Sequence, residues 1–185
     1  NASRGVEQIQ EYLEEYLKRN RAVLDFLVTR KEIDSSRIGA YGISFGATVN
    51  FLWAAEDPRL RAYIFALPGG NLAEIFMFSR DPLMRRYRDA VKKKSGLEGK
   101  ALLRALKKIF SNDPLQAAAR VPKENTCLHL AVFDRVIPFR YGLALRAALG
   151  KPETVFIPLG HYSSILSVPF LKRGALRFFR QRLLK

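Results

Sequence analysis

The amino-terminal part of the chain has the longest regular hydrophobic pattern. Between residues 6 and 30 the apolar side chains recur mostly at intervals of three and four, at Val6, Ile9, Leu13, Leu17, Val23, Leu24 and Leu27. This spacing places apolar side chains on one face of an α-helix. The pattern therefore predicts a long amphipathic helix, with Asn20 as the candidate position of a break.

Short apolar runs alternate with helical patterns along most of the remaining chain. Four runs are typical of buried strands, at residues 37–41, 60–67, 127–133 and 154–158. Segments with apolar residues at helical spacing lie between these runs or after them, at residues 45–55, 115–119, 141–149 and 170–184. In the last of these helices we expect Leu171, Leu176, Phe179 and Leu183 to be buried. Strands that alternate with helices predict a parallel sheet of about four strands flanked by helices, which is an α/β fold.

Residues 71–112 differ from the rest of the chain in charge. They contain 11 Lys and Arg against 4 Asp and Glu, a net charge of +7, and they carry apolar residues at helical spacing around Leu102 and Leu106. We interpret this segment as a helical cap insertion, with residues 92–96 at an exposed tip between two helices. Residues 1–70 and 113–185 then form the α/β core.

Composition narrows the class of protein. With 185 residues, 48% hydrophobic and 26% charged, the chain has the composition of one globular domain. No apolar run is long enough to span a bilayer, and the single cysteine, Cys127, has no partner for an internal disulfide. These features lead us to expect a cytoplasmic protein, although a secreted enzyme without disulfides also fits them. The net charge of +15 is spread along predicted helices without a nucleic-acid-binding motif, so we expect no nucleic-acid partner.

A serine flanked by glycines follows the first predicted strand. The segment Gly42-Ile43-Ser44-Phe45-Gly46 matches the G-x-S-x-G pattern, which by itself is a weak signal. Its position is more informative, because a strand precedes the serine and an apolar helix follows it directly. A nucleophile elbow requires this order of strand, tight turn and helix. The serine is thus either a nucleophile or a residue in a glycine-rich bend.

Two further reactive side chains follow predicted strands. Asp134 comes directly after the strand at 127–133, and His161 lies just beyond the strand at 154–158. Function collects at the carboxyl ends of parallel strands, and the chain order Ser44, Asp134, His161 is the order of the α/β-hydrolase triad. A serine hydroxyl needs an imidazole to take its proton, and the imidazole needs a carboxylate to orient it. The backbone N–H of Phe45, at a helix N-terminus, would face a developing oxyanion.

The sequence resembles the carboxy-terminal portion of an α/β-hydrolase. It is similar to the branch that includes dienelactone hydrolases, acetyl-xylan esterases and prolyl-oligopeptidase-like enzymes. The resemblance rests on the segments IDSSRIGAYGISFGA (33–47), DPLQAA (113–118), FDRVIP (133–138) and PLGHYSS (158–164). It implies that Ser44 is the nucleophile, Asp134 the acid and His161 the base of a serine hydrolase. The most plausible substrate is a small-molecule carboxylic ester, cleaved through an acyl-enzyme, with no cofactor and no metal.

Other residues compete with this assignment. Asp113 is a weaker rival for the acid, and Asp134 has an alternative explanation as a helix cap before Pro138. His129 lies in the middle of a predicted strand, where packing is the expected role. Asp34 and Arg37 match the family pattern, and we assign them to the structure of the loop before the elbow strand.

The sequence also departs from the family pattern. An α/β-hydrolase sheet normally has eight strands, and the loop that donates a second oxyanion N–H comes before the elbow, where this chain is almost entirely helical. The strand at 37–41 would be a sheet edge. Three arrangements fit: an upstream segment that is absent from the given sequence, which we favour; a homo-oligomer formed through that edge; or a scaffold without activity. The alternative function is therefore a catalytically impaired or non-catalytic module.

The bond that is cleaved and the acceptor of the acyl group also stay open. Peptide cleavage and acyl transfer to another alcohol use the same three side chains. Residues 80–110 could dock on an anionic membrane surface, although a cap over the active site is the favoured role for this segment.

Overall fold

The computed structural model of the protein describes residues 3–184, and its side chains from residue 10 onward. Val6 and Ile9 of the predicted first helix therefore lie outside the described side chains. The helices are α1 (Ser3–Leu27), α2 (Phe45–Ala54), α3 (Leu72–Phe78), α4 (Pro82–Ser95), α5 (Gly99–Ile109), α6 (Pro114–Ala117), α7 (Phe139–Ala148) and α8 (Val168–Leu183). The strands are β1 (Ile38–Ile43), β2 (Leu60–Ala66), β3 (Thr126–Ala131) and β4 (Glu153–Ile157).

The four described strands form one parallel sheet in the order β1-β2-β3-β4. The predicted α/β architecture with a four-stranded parallel sheet is therefore confirmed. Ile43 pairs with Ala66, and Ala66 in turn pairs with His129. This register brings the carboxyl ends of the strands to one edge of the sheet, where the loops that follow them meet. Within the described residues, β1 forms one lateral edge of the sheet and β4 the other.

Both faces of the sheet are covered by helices. On one face α2 packs over β1 and β2, and α7 packs against β3. Helix α1 packs against α2, and the ring centroids of Phe51 in α2 and Phe65 in β2 are 4.9 Å apart. On the other face Ala175 and Phe178 of α8 pack against Ile64 and its neighbours. Strand β2 is buried on both sides, which explains why its sequence is an apolar run rather than an alternation.

Helix α1 differs from its prediction in two respects. It continues through Asn20 without a break, and the Asn20 side-chain amide donates to the Asn50 carboxamide oxygen at 3.2 Å. This tertiary partner satisfies the polar side chain that suggested a helix end. Leu13, Leu17 and Leu24 are buried as expected, but Val23 is 56% exposed, since it lies about 100° around the helix from Leu24.

Residues 71–112 form three helices with a small hydrophobic core of their own. Phe76 from α3, Val91 from α4, and Leu102 and Leu106 from α5 are buried in it. The helices α4 and α5 also contact α1. Lys92, Lys93 and Lys94 lie in the last turn of α4, not at a loop tip as predicted. Cations are favourable there because carbonyl oxygens end the helix.

The predicted element boundaries are off by one to two residues elsewhere. Strand β3 ends at Ala131, two residues earlier than predicted, so a turn precedes Asp134. Leu176 of α8 is 52% exposed and was wrongly assigned to the core, whereas Leu171 is buried. None of the helices in residues 3–184 is long and apolar enough to cross a membrane.

The side chain of Asp113 joins residues 71–112 to the core. Its carboxylate accepts hydrogen bonds from the backbone N–H groups of Asn71 at 2.8 Å, Leu72 at 2.5 Å and Leu115 at 2.8 Å. The residue is 7% exposed. It therefore caps α6 and at the same time satisfies the first N–H groups of α3.

We expect Asp113→Ala to lower the free energy of unfolding by about 3 kcal/mol, since it leaves buried N–H groups without an acceptor. Urea unfolding measures the change. The matched control is Asp89→Ala, on the exposed surface of α4, for which we expect a change within about 0.5 kcal/mol. Equal effects of the two substitutions would contradict the capping role.

Candidate active site

Ser44 occupies a sharp turn between β1 and α2. Its backbone has φ 55° and ψ −119°, a conformation that residues other than glycine rarely adopt. Its N–H donates to the Ala66 carbonyl at 2.8 Å, and its own carbonyl accepts from Ala47 and Thr48 at 2.9 and 3.1 Å. The turn is thus held between the sheet and the first turn of the helix. This is the strand–turn–helix arrangement that the sequence predicts.

The glycines on either side of the turn have different roles. A Cβ atom at Gly42 would lie 2.4 Å from the carbonyl oxygen of Gly46, so only glycine fits there. At Gly46 a Cβ atom would meet nothing within 4 Å. The close approach of β1 to α2 therefore explains the first glycine of the motif, whereas the space around Gly46 imposes no such requirement.

The side chains of Ser44, His161 and Asp134 form a continuous hydrogen-bonded chain. His161 Nε2 lies 2.9 Å from Ser44 Oγ, and His161 Nδ1 lies 2.7 Å from Asp134 Oδ2. The His161 and Asp134 side chains are only 9% and 3% exposed. The structure therefore brings together all three residues that the sequence singles out, across 117 residues of chain between Ser44 and His161.

Asp134 is held by its own loop as well as by His161. Its Oδ1 accepts from the backbone N–H groups of Val136 and Ile137, each at 2.8 Å, which leaves Oδ2 for the imidazole. Asp134 does not cap α7, since Pro138 precedes that helix and no side chain caps it. The carboxylate instead closes the turn before the helix, which leaves it free to occupy the triad position. These two N–H donors were not predicted from the sequence, although an aspartate before a turn is a signal for them.

The loop that carries His161 is fixed to the loop that carries Asp134. Val132 N–H donates to the Ile157 carbonyl at 2.9 Å, and Phe133 N–H donates to the Leu159 carbonyl at 3.0 Å. Beyond the histidine, the Ser164 hydroxyl donates to the Gly160 carbonyl at 2.7 Å. The first two bonds extend the pairing of β3 and β4 as far as Asp134 and His161, and the third holds the turn after the histidine.

The backbone N–H of Phe45 is the predicted oxyanion donor. Phe45 is the first residue of α2, and the first N–H groups of a helix have no acceptor within it. The helix dipole also favours negative charge at this position. Within residues 3–184 we assign no second N–H donor.

Asp134 lines a cavity of about 350 Å³ together with Arg80, Arg135 and Arg140. Three more cavities adjoin Ser44 or His161. One of about 170 Å³ is lined by Ser44 and Phe45 and by apolar side chains from α1, α3, α4 and the loops after β3 and α5, namely Leu13, Leu72, Ile75, Phe76, Met84, Phe110, Val136 and Ile137. A second, of about 600 Å³, is lined by His161 and by residues of α4 and the loop after β3. A third, of about 370 Å³, lies between β1 and the start of α8.

The rival residues lie outside this cluster. Asp113 binds backbone N–H groups at the ends of α3 and α6. His129 is 2% exposed within β3, with Nδ1 unpaired and its ring against Tyr41. Asp34 forms an ion pair with Arg37 at 3.1 Å in the loop before β1, as expected for a structural pair.

Comparison with known proteins identifies the fold. No family model matches the chain, and no curated protein sequence matches it significantly. Among solved structures it is similar to acetyl xylan esterase 1 from Thermoanaerobacterium sp. JW/SL YS485, with 17% identity and a TM-score of 0.67, covering 86% of this chain and 50% of that one. It is also similar to the α/β hydrolase GrgF from Penicillium sp. sh18, with 16% identity and a TM-score of 0.67 over 94% of this chain and 73% of that one.

A third similar structure is the acylaminoacyl peptidase of Pyrococcus horikoshii, with 21% identity and a TM-score of 0.63, covering 88% of this chain and 27% of that one. The chain has the α/β-hydrolase fold, so the resemblance inferred from its sequence is confirmed at the level of the fold. It spans half the length of the acetyl xylan esterase that it matches.

The close contact at the elbow generates a paired prediction. We expect Gly42→Ala to lower the free energy of unfolding by about 2–3 kcal/mol, because the new methyl group overlaps the backbone of α2. Gly46→Ala should leave this free energy unchanged or raise it by up to about 1 kcal/mol. Urea unfolding of both variants measures the difference. A Gly46→Ala variant that is as unstable as Gly42→Ala would contradict the steric account.

Burial of His129 predicts a pH dependence of stability. Desolvation lowers the pKa of His129 to about 4, below its ordinary value of about 6.5. The imidazole therefore binds a proton less readily in the folded state than in the unfolded state. The contribution of neutral His129 to the free energy of unfolding is fully present above about pH 6.5 and is lost as the pH drops from there towards 4. Between pH 7 and pH 5 we expect His129 to account for a loss of about 2 kcal/mol.

Comparison with His129→Leu isolates this contribution, since the other titrating groups are present in both proteins. Urea unfolding at pH 7, 6 and 5 should show a smaller acid-induced loss for the variant. Parallel losses in the two proteins would mean that His129 is not the group responsible.

Proposed function

We propose that this protein is a serine hydrolase that cleaves carboxylic esters. The single observation that carries the proposal is the unbroken chain Ser44–His161–Asp134, with contacts of 2.9 and 2.7 Å. Similarity to an esterase and to a peptidase of the same fold supports hydrolysis in general. The proposed substrate is a small molecule.

In the proposed mechanism Ser44 attacks the ester carbonyl carbon while His161 Nε2 takes the hydroxyl proton. The C–O bond to the alcohol then breaks, and the same nitrogen returns the proton to the departing oxygen. Water attacks the resulting acyl-enzyme in a second step, again with His161 as the base. Asp134 Oδ2 orients the imidazole and stabilises its protonated form. The two N–H groups that donate to Oδ1 hold the carboxylate in position for this role.

The Phe45 N–H would stabilise the oxyanion of the tetrahedral intermediate. One donor of this kind typically contributes about 10²–10³ in rate. Because we assign one donor rather than two, the non-catalytic module remains the second candidate function. The contact between Ser44 and His161 favours the hydrolase over this alternative, since a binding module has no need for an activated serine.

The cavity beside Ser44 indicates where the acyl group would lie. It is almost entirely apolar and about 170 Å³ in volume, close to the 150 Å³ cavity that takes up benzene in another protein. A short apolar acyl chain of about six carbons fits this space. We place the acyl half of the ester there because Ser44 and Phe45 line this cavity and His161 does not.

Reaction with a fluorophosphonate tests the proposal directly. We expect a single covalent adduct by intact mass, absent in Ser44→Ala and present in the control Ser111→Ala, whose exposed serine lines none of the three cavities at Ser44 and His161. Asp134→Asn should slow labelling by at least about 100-fold, because the imidazole loses its orientation and its counter-charge. An adduct that persists in Ser44→Ala, or a folded protein that gives none, would argue for the non-catalytic module.

A further inference from the structure

The second cavity beside the candidate triad is strongly basic. It measures about 600 Å³, and Arg80, Arg85 and Arg135 line it together with His161 and Tyr162. The three arginines come from the segment before α4, from α4 itself and from the loop after β3. They are all exposed to solvent, so their charges face the open cavity and not the protein interior.

Within the described residues, these three arginines form no ion pair, since no carboxylate lies within 4 Å of their guanidinium nitrogens. Asp81 also lines the cavity and sets one negative charge against the three positive ones. Its Oδ1 accepts from the Leu83 and Met84 N–H groups, and its Oδ2 accepts from the Tyr162 hydroxyl. The cavity therefore keeps an excess of positive charge.

The backbone holds two of the arginines close to each other. The Arg80 N–H donates to the Arg135 carbonyl at 2.8 Å, and the Ser79 hydroxyl donates to the same oxygen at 3.2 Å. The segment before α4 is thus anchored to the loop that carries Asp134. Such anchoring reduces the conformational freedom that an anion would otherwise have to restrict on binding.

The cavity lies on the side of the site from which the alcohol would leave. His161 must deliver its proton to the departing oxygen, and His161 lines the basic cavity, whereas Ser44 and Phe45 line the apolar one. Val136 borders both, so an ester could extend from one into the other. His161 also lines the 370 Å³ cavity at β1, but that cavity shares no lining residue with the Ser44 cavity, so the basic cavity is the one that adjoins it.

We propose that the basic cavity selects esters whose alcohol half carries an anionic group, such as a carboxylate. This inference rests on the proposed function and adds the substrate class to it. Hydrolysis of such an ester breaks the bond between the acyl carbon and the alcohol oxygen, His161 supplies the proton to that oxygen, and the released alcohol keeps its carboxylate. Arg80, Arg85 and Arg135 bind the carboxylate through charge-assisted hydrogen bonds.

The test compares two butyrate esters: that of 4-hydroxybenzoate, which carries a carboxylate, and that of methyl 4-hydroxybenzoate, in which the carboxylate is replaced by a neutral methyl ester. We expect the ratio of kcat/KM for the anionic over the neutral ester to fall about three- to ten-fold in each of Arg80→Gln, Arg85→Gln and Arg135→Gln. Arg86→Gln is the matched control, since Arg86 is also exposed on α4 but does not line the cavity. An equal fall in Arg86→Gln, or an unchanged ratio in all variants, would overturn the proposal.

A binding measurement separates this proposal from the proposed function. Calorimetry on Ser44→Ala should show tighter binding of 4-hydroxybenzoate than of its methyl ester, with the difference reduced in the double variants that also carry Arg85→Gln or Arg135→Gln. This result would support the anion site even if the protein hydrolysed neither ester. If the protein hydrolyses both esters at similar rates and binds 4-hydroxybenzoate no more tightly than its methyl ester, the proposed hydrolase function stands and the anion site is overturned.

Discussion

The left-handed backbone of Ser44 is the constraint on which the rest of the site depends. A φ of 55° lets the chain pass from β1 into α2 within a single residue, at a cost of about 1–3 kcal/mol for a residue other than glycine. The hydrogen bond to Ala66 and the first turn of α2 offset this cost, and the space at residue 42 admits no side chain. The serine is therefore fixed relative to the sheet, so that only the loops after β3 and β4 have to be placed against it.

Those loops are placed together because a single carboxylate organises both. Asp134 closes its own loop through Oδ1 and holds His161 through Oδ2, while backbone bonds between residues 132–133 and 157–159 join the two loops. A carboxylate with both oxygens occupied has little freedom to rotate. The orientation of the imidazole is thus determined by the backbone of the sheet edge, and flexible surface side chains contribute little to it.

The sequence predicts those parts of the structure that depend on local pattern and chain order. Apolar runs of strand length, and the succession of Ser44, Asp134 and His161 after them, were sufficient for the sheet and the candidate triad. Features that depend on tertiary contacts were not accessible: α1 continues through Asn20 because Asn50 pairs with it. The exposure of Val23 and Leu176 shows that periodicity defines a helix face only to within about one residue. Arg80 and Arg135 are far apart in the sequence, and hydrogen bonds from the Arg80 N–H and the Ser79 hydroxyl to the Arg135 carbonyl bring them to one cavity.

The basic cavity also has a consequence for the chemistry. His161 lines this cavity together with the three arginines, whereas Ser44 lines the apolar cavity, and Val136 borders both. In our proposal an anionic group bound among the arginines would therefore place the departing alcohol oxygen towards His161. Binding energy from a part of the substrate that does not react would then position the bond that breaks, so an anionic ester would gain in kcat as well as in KM.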